Sequence, residues 1–289
     1  MKRLGFIGGG NMAEALVHGL LSIKLFKPLD LVVADPEPKR RRRLARIFGV
    51  DVTKDNGEAV RDSDALLIAV KPQMIEPVLG ELAGAIAAAP VRLPLQRQRR
   101  PIARIGKTKL FISIVAGVTV ERLENGLGRY SRVIRVMPNA PAMVGLGMAA
   151  LVRGTHATRA DQAFAMWIFR AVGEAVALDN ESQLDAVTAL SGSGPAYVYL
   201  FAKALAEAGA AEGLPIDLAL KMTLQTIKGA EESIRRLGLG LTELIQRVAS
   251  PGGTTEAALN RFDEDRFSAI VSHAVHAAAD RSRELGRVI

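Results

Sequence analysis

Gly5-Phe-Ile-Gly-Gly-Gly-Asn-Met-Ala13 decides how the first half of the chain folds. Residues 3–7 are a short apolar run of strand composition, and 11–22 carry apolar side chains at helical spacing, so the consecutive glycines between them make a strand-to-helix turn. Within the turn Gly8, Gly10 and Ala13 stand in the spacing G-x-G-x-x-A. Gly8 suits the tight turn, Gly10 lets the backbone approach a pyrophosphate, and Ala13 lets the helix pack closely on the strand. The helix N-terminus adds bare N–H groups and the positive end of its dipole. A glycine spacing alone is a weak signal. Here it follows a strand, opens an amphipathic helix and precedes a second strand that ends in an acid, Asp35, which makes a dinucleotide cradle the reading.

Outward from this turn the same alternation continues. Residues 3–7, 29–34, 65–70, 110–115 and 132–136 read as buried strands, and 11–22, 37–48, 56–62 and 73–85 as the helices between them. A further unit of strand 148–152, helix 158–172 and strand 175–178 closes this half. The pattern predicts an α/β fold, a Rossmann-type doubly wound parallel sheet with helices on both faces. Beyond Asp179 alanine, leucine and long polar side chains take over at helical spacing, so the expected domains are 1–179, dinucleotide-binding, and 180–289, all-helical. Pro195 reads as the first residue of a helix whose run 196–211 is apolar nearly all round, with Tyr197, Tyr199, Leu200, Phe201 and Leu205 spread over several faces. About 110 residues can hardly enclose such a helix, which predicts that a partner subunit covers it.

Composition narrows the classes further. The chain of 289 residues has no cysteine, which excludes disulfides, thiolate metal sites and cysteine nucleophiles and is compatible with a reducing, cytoplasmic location. The N-terminus lacks the apolar core of a secretory signal, and no long charge-free stretch predicts a membrane span. The net charge of +8 raises the question of nucleic acid. Yet Arg92, Arg97, Arg99, Arg100, Arg104, Lys107 and Lys109, in a stretch with no acid between Glu81 and Glu121, account for all but one of those charges. The expectation is a solvated basic insertion at about 90–109, with no nucleic-acid partner.

Other motifs fail on spacing. Gly106-Lys107-Thr108 lacks the opening glycine of a P-loop, since Pro101 stands there, and neither Ser191 nor Ser193 has the flanking glycines of a nucleophile elbow. His273 and His276 share a helix face without accompanying acids, so no pattern calls for a metal. Cofactor choice stays open: Asp35 stands where an acid binds the ribose diol of NAD, while Lys39, Arg40, Arg41, Arg42 and Arg43 could pair with the 2′-phosphate of NADP.

In the second half, Ser250-Pro-Gly-Gly-Thr-Thr255 joins two helices. Gly252, Gly253, Thr254 and Thr255 offer consecutive N–H groups at a helix start, an anion nest fit for a carboxylate; the alternative is an ordinary turn capped by Thr254 or Thr255.

With these stretches in hand, the chain resembles the pyrroline-5-carboxylate reductase family. The resemblance rests on Gly5–Ala13, Ala69-Val-Lys-Pro72, Val115-Ala-Gly-Val118, Arg135-Val-Met-Pro-Asn139, Leu190-Ser-Gly-Ser-Gly-Pro-Ala-Tyr197 and Ser250–Thr255, which run in family order over nearly the whole chain. It implies hydride transfer from NADPH, or NADH, to 1-pyrroline-5-carboxylate, giving L-proline. By the same resemblance Ile7, Gly8, Gly9, Gly10, Asn11 and Met12 would wrap the pyrophosphate and Asn56 would lie by the adenosine ribose. Ala69, Val70, Lys71 and Pro72, with Val115, Ala116 and Gly117, would line the nicotinamide. Gly252, Gly253, Thr254 and Thr255 would hold the substrate carboxylate, and Thr255 would donate a hydrogen bond near the ring nitrogen. The family also implies a homodimer or larger homo-oligomer with interlocked helical domains. The chain departs from the family pattern at Ala140, where a threonine is usual, at the bulkier Val115, and at Leu237-Gly-Leu-Gly-Leu241 in place of a more polar stretch. A related reductase of hydroxy acids would need a catalytic lysine, and Lys203 is the only lysine on the 196–211 helix.

Overall fold

The computed structural model describes residues 3–88 and 109–288. These divide into two compact units, one of residues 1–192 with 279–289 and one of residues 193–278. The basic stretch 90–108 lies outside the described residues. Its neighbour Lys109 is half-buried and donates from Nζ to the Ser63 carbonyl, and burial pushes its ammonium pKa down, so this one cation is part of the fold.

The first unit is built on eight strands: β1 (Leu4–Ile7), β2 (Leu31–Ala34), β3 (Asp51–Thr53), β4 (Ala65–Ile68), β5 (Leu110–Ser113), β6 (Arg132–Met137), β7 (Gly147–Arg153) and β8 (Gly173–Ala177). They lie in the order β3-β2-β1-β4-β5-β6-β7-β8. Every neighbouring pair is parallel except β6–β7, which is antiparallel, so the expected parallel sheet carries one reversed junction. The strand order reverses direction between β1 and β4, the switch point where such sheets open a crevice at their carboxyl ends.

Alternation along the strands explains the layers. Leu4, Phe6, Leu31, Val33, Ala65, Leu67, Leu110 and Ile112 face one core with helices α1 (Asn11–Ser22) and α6 (Arg159–Arg170). Ile7, Val32, Ala34, Leu66, Ile68 and Phe111 face the other, with α3 (Asn56–Asp62), α4 (Ile75–Ala88) and α5 (Val120–Leu127). Both faces of each central strand are thus apolar, which is why these segments read as unbroken hydrophobic runs. Helix α2 (Pro38–Phe48) contributes Leu44 to the first core and turns its basic residues outward or toward the β2 end. Two elements carried no clear spacing in the sequence. Strand β3 is three residues long with Asp51 exposed, and α5 shows its helix through Thr119 capping the Arg122 N–H and through buried Val120, Leu123 and Leu127.

The second unit contains α8 (Gly194–Ala211), α9 (Ile216–Leu237), α10 (Leu241–Val248), α11 (Thr254–Glu264) and most of α12 (Phe267–Val288), following the short α7 (Gln183–Val187) and a π-turn at Thr188–Gly192 in the first unit. Helix α8 begins one residue earlier than expected, so Pro195 is its second residue. Ala202 and Ala206 on α8, with Ala219 and Thr223 on α9, are buried at four-residue spacing, and these small side chains let the two helices approach closely. Among the described residues they are the whole hydrophobic interior of this unit apart from partly buried side chains. Val198, Tyr199, Leu200, Phe201 and Leu205 of α8 stay exposed, as do Leu218, Leu220, Met222 and Leu224 of α9.

Candidate functional site

Three chain segments leave the carboxyl edge of the sheet side by side. Ile7 pairs with Ile68 and Ile68 with Ser113, so the residues after β1, β4 and β5 start in register. The ladder continues one step beyond the strands: the Ala69 N–H donates to the Ile7 carbonyl at 2.8 Å and the Ile114 N–H to the Ile68 carbonyl at 3.0 Å. This brings Gly8 against Ala69 and Val70, with Ala116 and Gly117 following the end of the third strand.

The glycine turn has the geometry its spacing requires. Gly8 has φ +96°, and a Cβ there would lie 2.7 Å from the Ala69 carbonyl oxygen, so both conformation and space demand glycine. A Cβ on Gly9 would meet Leu44 and Val33, whereas one on Gly10 would meet nothing within 4 Å. Gly10 therefore faces open space at the start of α1, the opening a pyrophosphate needs. No side chain caps α1, which leaves its first-turn N–H groups for an anion. Ala13 is fully buried in the core against the strands. These residues fit a dinucleotide.

Asp35 is 3% exposed, and its carboxylate points into the turn. Oδ2 accepts from the Gly9 N–H at 2.7 Å and Oδ1 from the Glu37 N–H at 2.8 Å. Around it, Arg40 Nη1 stands 3.6 Å from Oδ2 and Arg41 Nη1 donates to the Asp35 carbonyl at 2.6 Å. Arg43 forms a two-pronged pair with Glu14, tying α2 to α1. The basic cluster is therefore not one solvated face: Arg40 and Arg41 stand on the β2–α2 turn at Asp35, and Arg43 joins α2 to α1.

Other expected site residues fall out unevenly. The Asn56 amide donates to Glu81 of α4 at 2.7 Å, a contact linking two helices that the sequence did not indicate. Val115 is buried in the second core, with its N–H donating to Ser113 Oγ at 3.3 Å. Its side chain therefore packs under the sheet, because residue parity turns it inward, and Ala116 is the exposed neighbour. At the end of β6, Asn139 accepts from the Met148 N–H at 2.8 Å and donates to Ser191 O and Oγ at 3.1 and 3.2 Å, bracing the π-turn; spacing alone did not single it out. Arg135 Nη1 meets Glu181 Oε1 at 2.5 Å, and the same oxygen accepts from the Val120 N–H.

In the second unit, Gly252 has φ +71° and the loop enters α11 through Gly253 as N-cap. The capped-turn alternative fails, since neither threonine hydroxyl caps the helix. The nest is also narrower than the sequence implied. The Gly252 N–H donates to Glu256 Oε2 at 2.8 Å and the Gly253 N–H to the Ser250 carbonyl at 2.9 Å. What stays available is the first turn of α11, with the N–H groups and hydroxyls of Thr254 and Thr255.

A doubly wound sheet with a bare helix start at its switch point, joined to a helical unit, defines a nicotinamide-dinucleotide-dependent oxidoreductase. Known proteins agree. Residues 3–91 match the family described as NADP oxidoreductase, coenzyme F420-dependent, and residues 181–285 match pyrroline-5-carboxylate reductase dimerisation, a match that starts twelve residues before that helical unit begins. The chain is 40% identical to the pyrroline-5-carboxylate reductase of Synechocystis sp. over 99% of its own length and 98% of the relative's, and 38% identical to that of Arabidopsis thaliana over 99% and 96%. It superposes on the enzyme from Coxiella burnetii with a TM-score of 0.87 at 33% identity, covering 98% of each chain. Plasmodium falciparum pyrroline carboxylate reductase, solved with NADP bound, gives 0.82 at 31% identity, again over 98% of each. The chain belongs to the pyrroline-5-carboxylate reductase family.

Proposed function

We propose that this chain reduces 1-pyrroline-5-carboxylate to L-proline with NADPH or NADH, as a cytoplasmic homodimer or larger homo-oligomer. The observation that carries the reading is the uncapped start of α11 at Thr254 and Thr255, a carboxylate-sized anion site, in a chain related over its full length to enzymes of that name. A bound reduced nicotinamide supplies hydride to the imine carbon. The chain's own residues hold the two reactants. Ile7, Gly8, Gly9, Gly10, Asn11 and Met12 cradle the pyrophosphate, Asn56 lies by the adenosine ribose, and Ala69, Val70, Lys71, Pro72, Ala116 and Gly117 border the nicotinamide. Gly252 and Gly253 shape the turn that presents the Thr254 and Thr255 N–H groups to the carboxylate. The Thr255 hydroxyl oxygen accepts from the N–H of the electrophilic pyrrolinium, which needs no strong acid, and its O–H can donate to the nitrogen lone pair that reduction creates. The C=N bond becomes C–H and N–H, the hydride reaching carbon and the iminium proton remaining on nitrogen.

The α8–α9 face supplies the oligomer contact, because its exposed leucines and aromatics form the kind of apolar surface that subunits cover. Among the described residues no helix is long and apolar enough to cross a membrane. Nucleic acid has no place in this scheme. A hydroxy-acid reductase is disfavoured, since Lys203 lies on an exposed face paired with Glu207 at 3.5 Å. The test mixes protein, pyrroline-5-carboxylate and reduced cofactor and follows both cofactor oxidation and proline. Oxidation without proline, or none at all, refutes the reading.

A further inference from the structure

Most of α12 lies in the second unit, but its end, from residue 279 onward, belongs to the first. Ser282 on this end donates from Oγ to Asp185 Oδ1 of α7 at 2.7 Å, 97 residues earlier in the chain. Four residues on, and so on the same face of the helix, stands Gly286. A Cβ built on Gly286 would lie 3.6 Å from the Gly117 carbonyl oxygen, in the loop that follows β5. A methyl at that distance is in ordinary contact, so a longer side chain has to push the loop or the helix end aside. Glycine is a poor helix former. Its place here lets the helix backbone come close to the loop backbone.

The loop is fixed on its other sides by the sheet and by α7's approach. Val115 and Val118 are buried beneath it, and the Val120 N–H just beyond donates to Glu181 Oε1 at 2.8 Å, the oxygen that also meets Arg135. Between these anchors Ala116 is exposed, and Gly117 is half-buried with φ +76°. Those two residues carry one methyl group between them, so they have no side chain with which to wedge themselves in place. Contacts to their backbone decide where they sit, and the end of α12 makes one at the left-handed residue, where the loop bends.

We propose that the end of α12 clamps the 116–117 loop, with Gly286 and Ser282 as positioning residues that set the seat of the nicotinamide. This rests on reading Ala116 and Gly117 as the nicotinamide's border. The test titrates the full-length protein, by calorimetry and without substrate, with NADPH and with 2′-phospho-ADP-ribose, the same molecule lacking its nicotinamide. Gly286→Leu weakens NADPH by about tenfold or more and leaves the fragment within about twofold, since only the nicotinamide end meets the displaced loop. With pyrroline-5-carboxylate, kcat falls by on the order of 10- to 100-fold, the penalty of a reacting ring held about 1 Å out of place. Ser282→Ala frees the helix end from α7 and moves both readouts the same way by less. Leucine is the better helix former, so unwinding of α12 is not the cause, and a general loss of structure would weaken both ligands together. An unchanged NADPH-to-fragment ratio in Gly286→Leu overturns the proposal; if that variant does not fold, the ratio in Ser282→Ala decides it. Binding needs no turnover, which keeps the two readings apart. Proline formation with an unmoved ratio sinks the clamp and keeps the reaction, whereas the expected change of ratio without proline formation sinks the reaction and keeps the clamp.

Discussion

Leu66, in the middle of β4, has no exposed surface, and Leu200, near the start of α8, keeps 67% of its surface exposed. The contrast runs through the two units. Strands of the first alternate their side chains into two cores, each closed by helices of the same unit. Helices α8 and α9 of the second meet along alanines and a threonine and turn their leucines and aromatics outward. Burying a leucine side chain contributes about 2 kcal/mol, so a face of this size left in water costs the isolated chain a great deal. The first unit therefore holds itself together, while the stability of the second depends on what covers it.

The largest effect should come from attacking that dependence. Leu200→Glu with Leu224→Glu places unpaired carboxylates on the exposed face and weakens subunit association by on the order of a thousandfold or more. Light scattering at micromolar concentration should then show monomer where wild type associates; unchanged association would mean that the outward leucines are not the contact. Next comes a break inside the self-contained unit. Gly8→Ala combines a left-handed backbone with a contact 2.7 Å from the Ala69 oxygen, and should cost about 3 kcal/mol in urea denaturation while also weakening dinucleotide binding.

Thr255→Ala sharpens the comparison from the other side. The hydroxyl caps nothing, so Tm should stay put, while kcat/KM for the pyrroline falls about 10- to 100-fold. Full kcat/KM in that variant would remove Thr255 from the mechanism. The smallest effect is local to the first unit. Asp55 caps α3 by accepting from the Gly57 N–H at 2.7 Å, and that bond holds its carboxyl below the usual carboxylate pKa. Asp55→Ala should cost about 1 kcal/mol near neutral pH. Because the folded pKa is the lower one, the wild-type advantage is complete above the unfolded-state value and fades as acid takes pH down through the folded value. Parallel stability curves for the two proteins across that range would contradict the assignment.

Much of this was legible without coordinates. The G-x-G-x-x-A spacing, the continuous apolar strands and the over-apolar 196–211 helix each follow from local steric or hydrophobic requirements, and each reappears in the structure. Short or edge elements were harder, because three residues of β3 with an exposed Asp51 carry no period to detect. Directions of single side chains were hardest. Asp35 was visible as an acid after β2, but its turn toward Gly9 depends on where the glycine loop passes in space. Val115 was visible as a bulky departure, yet only strand register sends it into the core. Nor does spacing show that the Glu256 carboxylate takes up the Gly252 N–H, a contact made by the loop's fold.

The sequence by itself determined the class of fold, the presence of a dinucleotide cradle, the family, and the helical surface that one chain cannot cover, since all of these are written in spacing and composition. Only the tertiary structure decided which N–H groups of the Ser250–Thr255 loop remain unused and that the Asp35 carboxylate turns inward onto the Gly9 N–H. Those outcomes turn on hydrogen bonds between residues brought together by folding, and a backbone donor satisfied from one side is no longer available to a ligand from the other.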